Sequence, residues 1–141
     1  MSLYDTGLRS LYVSQKQNHL LKLVISDNPV QFDDWDPAMF PSLDYLDVSY
    51  NYYLDWLFWE KLSALTSLRF FVAEGAAITE IPSSIAELPH LIEISLLGNR
   101  IHELPDEFYL LRLRLVNLEF NPLERTHQVR LEEVFGNRIL Y

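Results

Sequence analysis

The side chains that most often bind metals or perform catalysis are sparse in this chain and are not spaced for either task. There is no cysteine, and the histidines are His19, His90, His102 and His127. No two of them are three or four residues apart, the spacing that places two imidazoles on one helix face to bind zinc. The sequence therefore predicts no metal site and no thiol nucleophile, and solvated loop histidines are the simpler interpretation.

Paired carboxylates do occur, notably the sequence neighbours Asp33 with Asp34 and Glu132 with Glu133. Such neighbours point apart on a strand or helix, so they seldom share a proton as a general acid and base. The chain also lacks a G-x-S-x-G motif, a phosphate-binding glycine loop and a histidine-glutamate metalloprotease motif. We therefore predict no catalytic residue, no cofactor and no enzymatic activity.

Charge and length narrow the class of partner. The 141 residues include 11 Lys plus Arg and 20 Asp plus Glu, which gives a formal net charge of −9. That charge repels nucleic-acid phosphates and anionic membrane surfaces, and no stretch approaches the roughly 18 apolar residues of a membrane span. The length fits one domain, and the absence of cysteine agrees with a reducing compartment. We expect a cytoplasmic monomer whose partner is neither nucleic acid nor membrane.

The elements that position the remaining side chains come from an internal repeat. Five segments fit one eleven-residue frame, L-x-x-L-x-L-x-x-N-x-L, and they begin at Leu20, Leu43, Leu68, Leu91 and Leu113. Their starts are 22 to 25 residues apart. One match alone would be an ordinary amphipathic strand, whereas five in phase indicate a stack of repeats.

This frame resembles that of leucine-rich-repeat proteins, and the resemblance covers residues 20–123. The segments ITEIPSSIAELPHL and IHELPDEFYLLRL resemble the Leu-Pro-containing repeats of about 23 residues in intracellular members of that family. The resemblance implies an α/β solenoid in the shape of a horseshoe. About five parallel strands would form its concave face, and irregular or short helical connections would form its convex side. It further implies binding of another protein through the concave face.

The resemblance also implies a ladder of asparagines at the ninth frame position, hydrogen-bonded to the backbone of the next coil. The ladder residues are Asn28, Asn51, Asn99 and Asn121. Ala76 takes this place in the third repeat, so we expect the third coil to be the weakest joint, because an unpaired buried backbone group costs about 1 to 3 kcal/mol.

The frame predicts which side chains are buried, because successive side chains of a strand point to opposite faces. The first, fourth and sixth positions form the predicted core: Leu20, Leu23, Ile25, Leu43, Leu46, Val48, Leu68, Phe71, Ala73, Leu91, Ile94, Leu96, Leu113, Val116 and Leu118. In the aromatic segment of the second repeat, Trp56 is expected to pack under the convex side with Leu57 or Phe58.

Both ends of the stack need a cap, because a terminal coil exposes its core and a sheet edge. We predict one domain over residues 1–141, with an N-terminal cap over 1–19, five repeats over 20–123 and a C-terminal cap over 124–141. The N-terminal cap is predicted to be a β-hairpin that pairs residues 8–13 with 20–25 in antiparallel sense. The C-terminal cap is predicted to be a helix over residues 126–135 that ends before Gly136.

The third, fifth and seventh frame positions point away from the core, and we call the surface they form the concave face. The residues expected to bind a partner there are Tyr45, Asp47, Phe70, Val72, Glu74, Glu93, Leu97, Leu115, Asn117 and Glu119. We expect the apolar members to form one contiguous patch ringed by the four carboxylates, as in an interface core with a polar rim. The alternative is that these side chains are present only because they suit strands.

The sequence thus favours a module that binds another protein as an adaptor, scaffold or inhibitor. One alternative is a small acidic inhibitor of the immunity type that neutralises a basic toxin or nuclease, because complementary charge speeds encounter and selects the partner. Another is a structural leucine-rich-repeat protein that associates with itself.

Overall fold

The computed structural model describes residues 1–140. Its first five strands occupy the third to fifth frame positions of the five repeats. The six strands are β1 (Lys22–Val24), β2 (Tyr45–Asp47), β3 (Phe70–Val72), β4 (Glu93–Ser95), β5 (Leu115–Asn117) and β6 (Ile139–Leu140). They form one sheet in chain order, and each pairs with the next in parallel. The register joins equal frame positions from β1 to β5, so the predicted parallel solenoid is confirmed.

The predicted core column is buried with one exception. Every residue predicted to point inward is buried except Leu20, which is half-buried and packs against the core. Aromatic rings extend this core toward the convex side. There the ring of Phe58 packs against the rings of Phe32 and Trp35, at centroid distances of 4.7 and 5.7 Å. These large rings fill the wide space behind the first strands, where a leucine would leave a void.

The convex connections are short and mostly tight. The second repeat holds α1 (Trp56–Leu62), and 3₁₀ turns occupy Pro37–Met39, Ser83–Glu87 and Asp106–Leu110. The carboxylate of Asp55 begins α1 by accepting the backbone N–H of Phe58 at 3.0 Å. This start points Phe58, Trp59 and Leu62 inward and leaves Trp56 72% exposed. The expectation that Trp56 packs under the convex side is therefore wrong, because it lies on the opposite face of the helix.

The N-terminal segment runs parallel to β1 and does not form the predicted antiparallel hairpin. The N–H of Leu3 donates to the carbonyl of Val24 at 2.7 Å, and the N–H of Val24 donates to the carbonyl of Met1 at 2.9 Å. Residues 8–13 lie beyond the strand, where Ser10 pairs with Gln31 in parallel sense and Leu11 is buried. The hairpin prediction is wrong because the first residues already satisfy the edge of β1.

The C-terminal cap combines a helix with a further strand. The helix α2 (Arg125–Phe135) confirms the predicted helix over 126–135 and buries Leu131 and Phe135. A 3₁₀ turn over Gly136–Arg138 then leads into β6, where Ile139 is the partner of Val116. The sheet therefore has one strand more than the repeat frame predicted, since residues 139–140 match no part of that frame.

Each asparagine of the ladder joins its coil to the segment before it. The side-chain amide of Asn51 donates to the carbonyl of Ile25 at 2.9 Å, and that of Asn121 donates to Leu96 at 2.8 Å. Asn28 reaches back to Leu3, and Asn99 reaches back to Ala73. The prediction that each asparagine bonds to the backbone of the next coil is therefore wrong. The carbonyl groups that accept these amides lie just past the strand of the preceding coil.

The turn after β3 has alanine in place of the ladder asparagine. The carbonyl of Val48, which would accept from an asparagine at position 76, accepts the side-chain amide of Asn51 at 3.0 Å and its backbone N–H at 3.3 Å. Ala77 takes a left-handed backbone conformation with φ of 56°, unlike the tenth frame residue of any other repeat. The backbone of the third repeat therefore takes a different local path at Ala77.

Candidate functional site

The strands bring the sequence-predicted binding residues onto one face in two rows. The first row is formed by consecutive Cα partners at the third frame position, Tyr45, Phe70, Glu93 and Leu115. The second row is formed in the same way at the fifth position, by Asp47, Val72, Ser95 and Asn117. The residues at the seventh position lie two residues beyond the ends of β3, β4 and β5; they are Glu74, Leu97 and Glu119, respectively. All are half-buried except Leu115, which is 38% exposed.

The expectation of one contiguous apolar patch is wrong, because Glu93 stands inside the first row. The register makes Phe70 and Leu115 the two neighbours of Glu93, so its carboxylate divides the patch and does not border it. Tyr45, Phe70 and Val72 remain together on β2 and β3, while Leu115 lies on the far side of Glu93. The concave face thus presents an aromatic centre on the second and third strands.

Two cations that the sequence prediction did not include lie over the rings of the aromatic centre. The rings of Tyr45 and Phe70 lie 6.2 Å apart between centroids. The ammonium of Lys22 is 4.1 Å from the Tyr45 ring centroid, and the guanidinium of Arg69 is 5.2 Å from that of Phe70. Arg69 also forms a two-pronged ion pair with Asp44. Lys22 could have been found from its third frame position beside Tyr45, since cations favour the faces of aromatic rings.

Hydrogen bonds orient the polar side chains of the same face. The carboxylate of Asp47 accepts the N–H of Ser49 at 2.9 Å, and the side-chain oxygen of Asn117 accepts the N–H of Glu119 at 3.1 Å. The carboxylate of Glu74 accepts the hydroxyl of Ser95. Burial raises the pKa of the Tyr45 phenol, and the carboxylates of Asp47 and Glu74 raise that pKa further. The phenol therefore stays protonated at neutral pH and can donate a hydrogen bond to a ligand.

A further row of side chains lies beyond the strands, at the eighth frame position. The backbone is left-handed at this position in every repeat. The residues with positive φ at this position are Asp27, Tyr50, Gly75, Gly98 and Phe120. Tyr50 is 44% exposed and Phe120 is 81% exposed. The Tyr50 ring extends over Gly75, where a Cβ atom would lie 2.5 Å from Cε1 of that ring. We call these five residues the turn row.

Two bulky aromatic residues in the turn row occupy a conformation that suits glycine. A left-handed backbone is uncommon for such residues and stores strain of about 1 to 3 kcal/mol. Tyr50 has φ of 57°, and Phe120 has the same value. Residues with strain of this kind cluster at functional sites. The sequence identifies both residues as loop aromatics but gives no sign of the strain.

The histidines and carboxylates show no grouping suited to metal binding. His127 belongs to α2, and its Nδ1 atom lies 2.8 Å from the hydroxyl of Tyr109, with the two rings stacked. The interpretation of His127 as a solvated loop residue is therefore wrong. Within residues 1–140 no three of the His, Asp and Glu side chains are grouped closely enough to hold a metal ion. In the same range no helix has the length and apolar character to cross a membrane.

Solved structures with the same architecture are known from two bacteria. A leucine-rich-repeat protein of Leptospira interrogans superimposes with a TM-score of 0.69 at 19% identity and covers 95% of this chain. An internalin of Listeria monocytogenes superimposes with a TM-score of 0.62 at 18% identity and covers 94% of this chain. The matched region is 37% of the first protein and 40% of the second, so the chain spans about two fifths of their length. No protein-family model and no curated protein matches the sequence.

Proposed function

We propose that this leucine-rich-repeat protein binds another protein through its concave face and acts as an adaptor, a scaffold or an inhibitor. The observation that supports the proposal is the aromatic centre formed by Tyr45 and Phe70 on adjacent strands. Both side chains point away from the core and remain only half-buried, although β2 and β3 lie inside the sheet. Rigid aromatic side chains in this position supply contact area with little loss of conformational entropy on binding.

The charges around the aromatic centre favour a partner with a basic surface. Four carboxylates lie on the concave face, Asp47, Glu74, Glu93 and Glu119. Two cations lie beside the aromatic rings, Lys22 and Arg69, and Arg69 is already paired with Asp44. Complementary charge increases the rate of encounter and penalises partners of the same sign. Glu93 is the most selective of the four, because it stands between Phe70 and Leu115 and would be enclosed by any partner that covers both. A basic side chain of the partner must therefore meet it.

The turn row supplies contact area that the strands alone do not provide. Five short strands present roughly 300 Å² of sheet, less than the roughly 800 Å² per partner of a standard interface. Tyr50 and Phe120 are exposed and lie three residues after the ends of β2 and β5, so they extend the same surface at its edge. We infer that the partner covers the aromatic centre and the turn row together.

Affinity capture with matched variants tests the proposal. The immobilised parent protein, the Phe70→Glu variant and the Leu110→Glu variant are exposed to the same cell extract, and retained proteins are quantified by mass spectrometry. Leu110 is 76% exposed on the 3₁₀ turn Asp106–Leu110, so its variant adds the same charge on the convex side. We expect at least one protein to be retained by the parent and by Leu110→Glu but lost with Phe70→Glu. Equal retention by all three would refute binding through the concave face.

Two further measurements separate the forms that this function can take. Inhibition of a captured basic enzyme by the parent protein, but not by Phe70→Glu, would favour the inhibitor of the immunity type over the adaptor. Sedimentation equilibrium of the parent protein tests self-association, because a dimer that Phe70→Glu dissociates would make a second copy the partner.

A further inference from the structure

The convex side contains a groove that is lined by residues of the second and third coils. A cavity of about 680 Å³ lies between the aromatic segment of the second repeat and the connection that follows β3. Tyr52, Tyr53, Trp56 and Trp59 line one wall, and Ala76 lies on the other. The volume is in the usual range for ligand pockets, about 300 to 1,000 Å³. Ala76, which stands where four other repeats carry the ladder asparagine, is one of the residues that line the groove.

This cavity continues into a second one between the third and fourth coils. The second cavity has a volume of about 370 Å³ and shares Glu80 and Ile81 with the first. Its other lining residues include Glu103 and Pro105, which repeat the motif of Glu80 and Pro82 one coil later. The two cavities therefore form one elongated depression across three coils, which we call the convex groove. An elongated groove of this kind suits an extended chain better than a compact ligand.

The charge of the convex groove has one sign. Its lining includes six carboxylates and neither lysine nor arginine; the carboxylates are Asp55, Glu60, Glu80, Glu87, Glu103 and Asp106. Asp55 caps α1 and Asp106 pairs with Arg130. The other four are exposed, and no hydrogen bond or ion pair engages their carboxylates within residues 1–140. Their charges are therefore available to a ligand.

We propose that the convex groove binds an extended basic segment of a partner protein, with arginine or lysine side chains set between the aromatic wall and the carboxylates. Aromatic faces and carboxylates both attract a cation, and arginine can stack on a ring while it donates to a carboxylate. The exposed indole of Trp56 and the phenols of Tyr52 and Tyr53 offer such faces beside Glu60 and Glu80. An anionic ligand is excluded by the same carboxylates. This site is separate from the concave face and does not depend on its function.

Selection from a phage-displayed library of random peptides on the immobilised parent protein tests this site. Enriched peptides are synthesised with a fluorescent label, and their binding is measured by fluorescence anisotropy. We expect them to combine arginine or lysine with an apolar residue. We also expect the variants Glu80→Lys and Trp56→Ser to weaken binding about tenfold or more. Both side chains are exposed, so both variants should fold as the parent does.

Matched variants of the concave face identify where the peptides bind. Glu93→Lys changes the charge as Glu80→Lys does, and Phe70→Ser removes a ring as Trp56→Ser does, but neither residue lines the convex groove. We expect both to leave peptide affinity unchanged. The proposal is overturned if no peptide is enriched, if the enriched peptides are neutral or acidic, or if Glu93→Lys weakens them as much as Glu80→Lys. Self-association of the parent that Glu80→Lys abolishes would also overturn it, because the occupant would then be a second copy.

Discussion

Replacing Phe120 with glycine is expected to stabilise the fold and at the same time to weaken binding of a partner to the concave face. Phe120 has φ of 57° and is 81% exposed. Two other repeats already carry glycine at the same frame position, Gly75 and Gly98, with φ of 56° and 69°. The turn therefore accepts glycine without any change of backbone path, whereas a phenylalanine must be held there by its neighbours.

The magnitude follows from two opposed terms. A left-handed conformation costs a non-glycine residue roughly 1 to 2 kcal/mol, and glycine recovers most of this. Full burial of a phenylalanine is worth about 1.5 to 3 kcal/mol, so removing a ring that is 81% exposed loses only about 0.5 kcal/mol. The net gain is about 0.5 to 1 kcal/mol, which raises the unfolding midpoint of a chain of this size by roughly 3 °C.

Phe120→Ala is the matched control for this prediction. It removes the same ring but keeps the Cβ atom that causes the strain, so it should be slightly less stable than the parent protein. Thermal unfolding followed by circular dichroism compares the three proteins, and titration with the captured partner measures their affinities. Both variants should bind the partner more weakly, because both lack the ring. A midpoint of Phe120→Gly at or below that of Phe120→Ala would refute the assignment of strain to this turn.

Three further predictions concern the fold and its register. Ala76→Asn is expected to raise the free energy of unfolding by about 0.5 to 1.5 kcal/mol, because an amide at this position can donate to the carbonyl of Val48. Chemical denaturation measures this free energy. A value equal to the parent's would show that the left-handed turn at Ala77 already satisfies the backbone groups there. Phe71→Ala is expected to lose about 3 to 5 kcal/mol because Phe71 is fully buried against Phe58 and Trp59, whereas Phe70→Glu should leave the unfolding curve nearly unchanged; similar losses in the two variants would contradict the register. Removal of residues 1–19 uncovers the edge of β1 and takes the buried side chain of Leu11 from the core, so light scattering should detect aggregation. A monomer with the parent's midpoint would show that these residues protect nothing.

Much of the fold could be predicted from the sequence because the repeat frame is a local pattern. Alternation along each strand decides that Phe71 points inward and Phe70 outward, and the structure buries the first while leaving the second half-exposed. The same pattern, repeated at nearly constant spacing, decides that the strands are parallel and in register. The C-terminal helix was also predictable, since its apolar spacing and the glycine after it are encoded within a dozen residues or so.

The end of the sheet and the groove were not predictable, because each depends on which distant segments meet. The apolar residues from Leu8 to Val13 would fit either an antiparallel partner for β1 or a further turn of the solenoid. The decision rests on two backbone hydrogen bonds, in which Leu3 donates to Val24 and Val24 donates to Met1. The convex groove likewise needs Trp56 to point away from the core and residues of two different coils, such as Trp56 and Ala76, to line one cavity. Neither residue signals this alone.

The sequence by itself determined the repeat, the buried column and the identity of the side chains on the concave face, because these follow from backbone geometry within each coil. Tertiary structure alone decided that Arg69 lies over the ring of Phe70 while it pairs with Asp44, and that Tyr50 and Phe120 have a left-handed backbone. The physical reason is that these features arise between coils. A side chain in one repeat acquires its neighbour, its charge environment and its turn geometry only when the next repeat stacks on it.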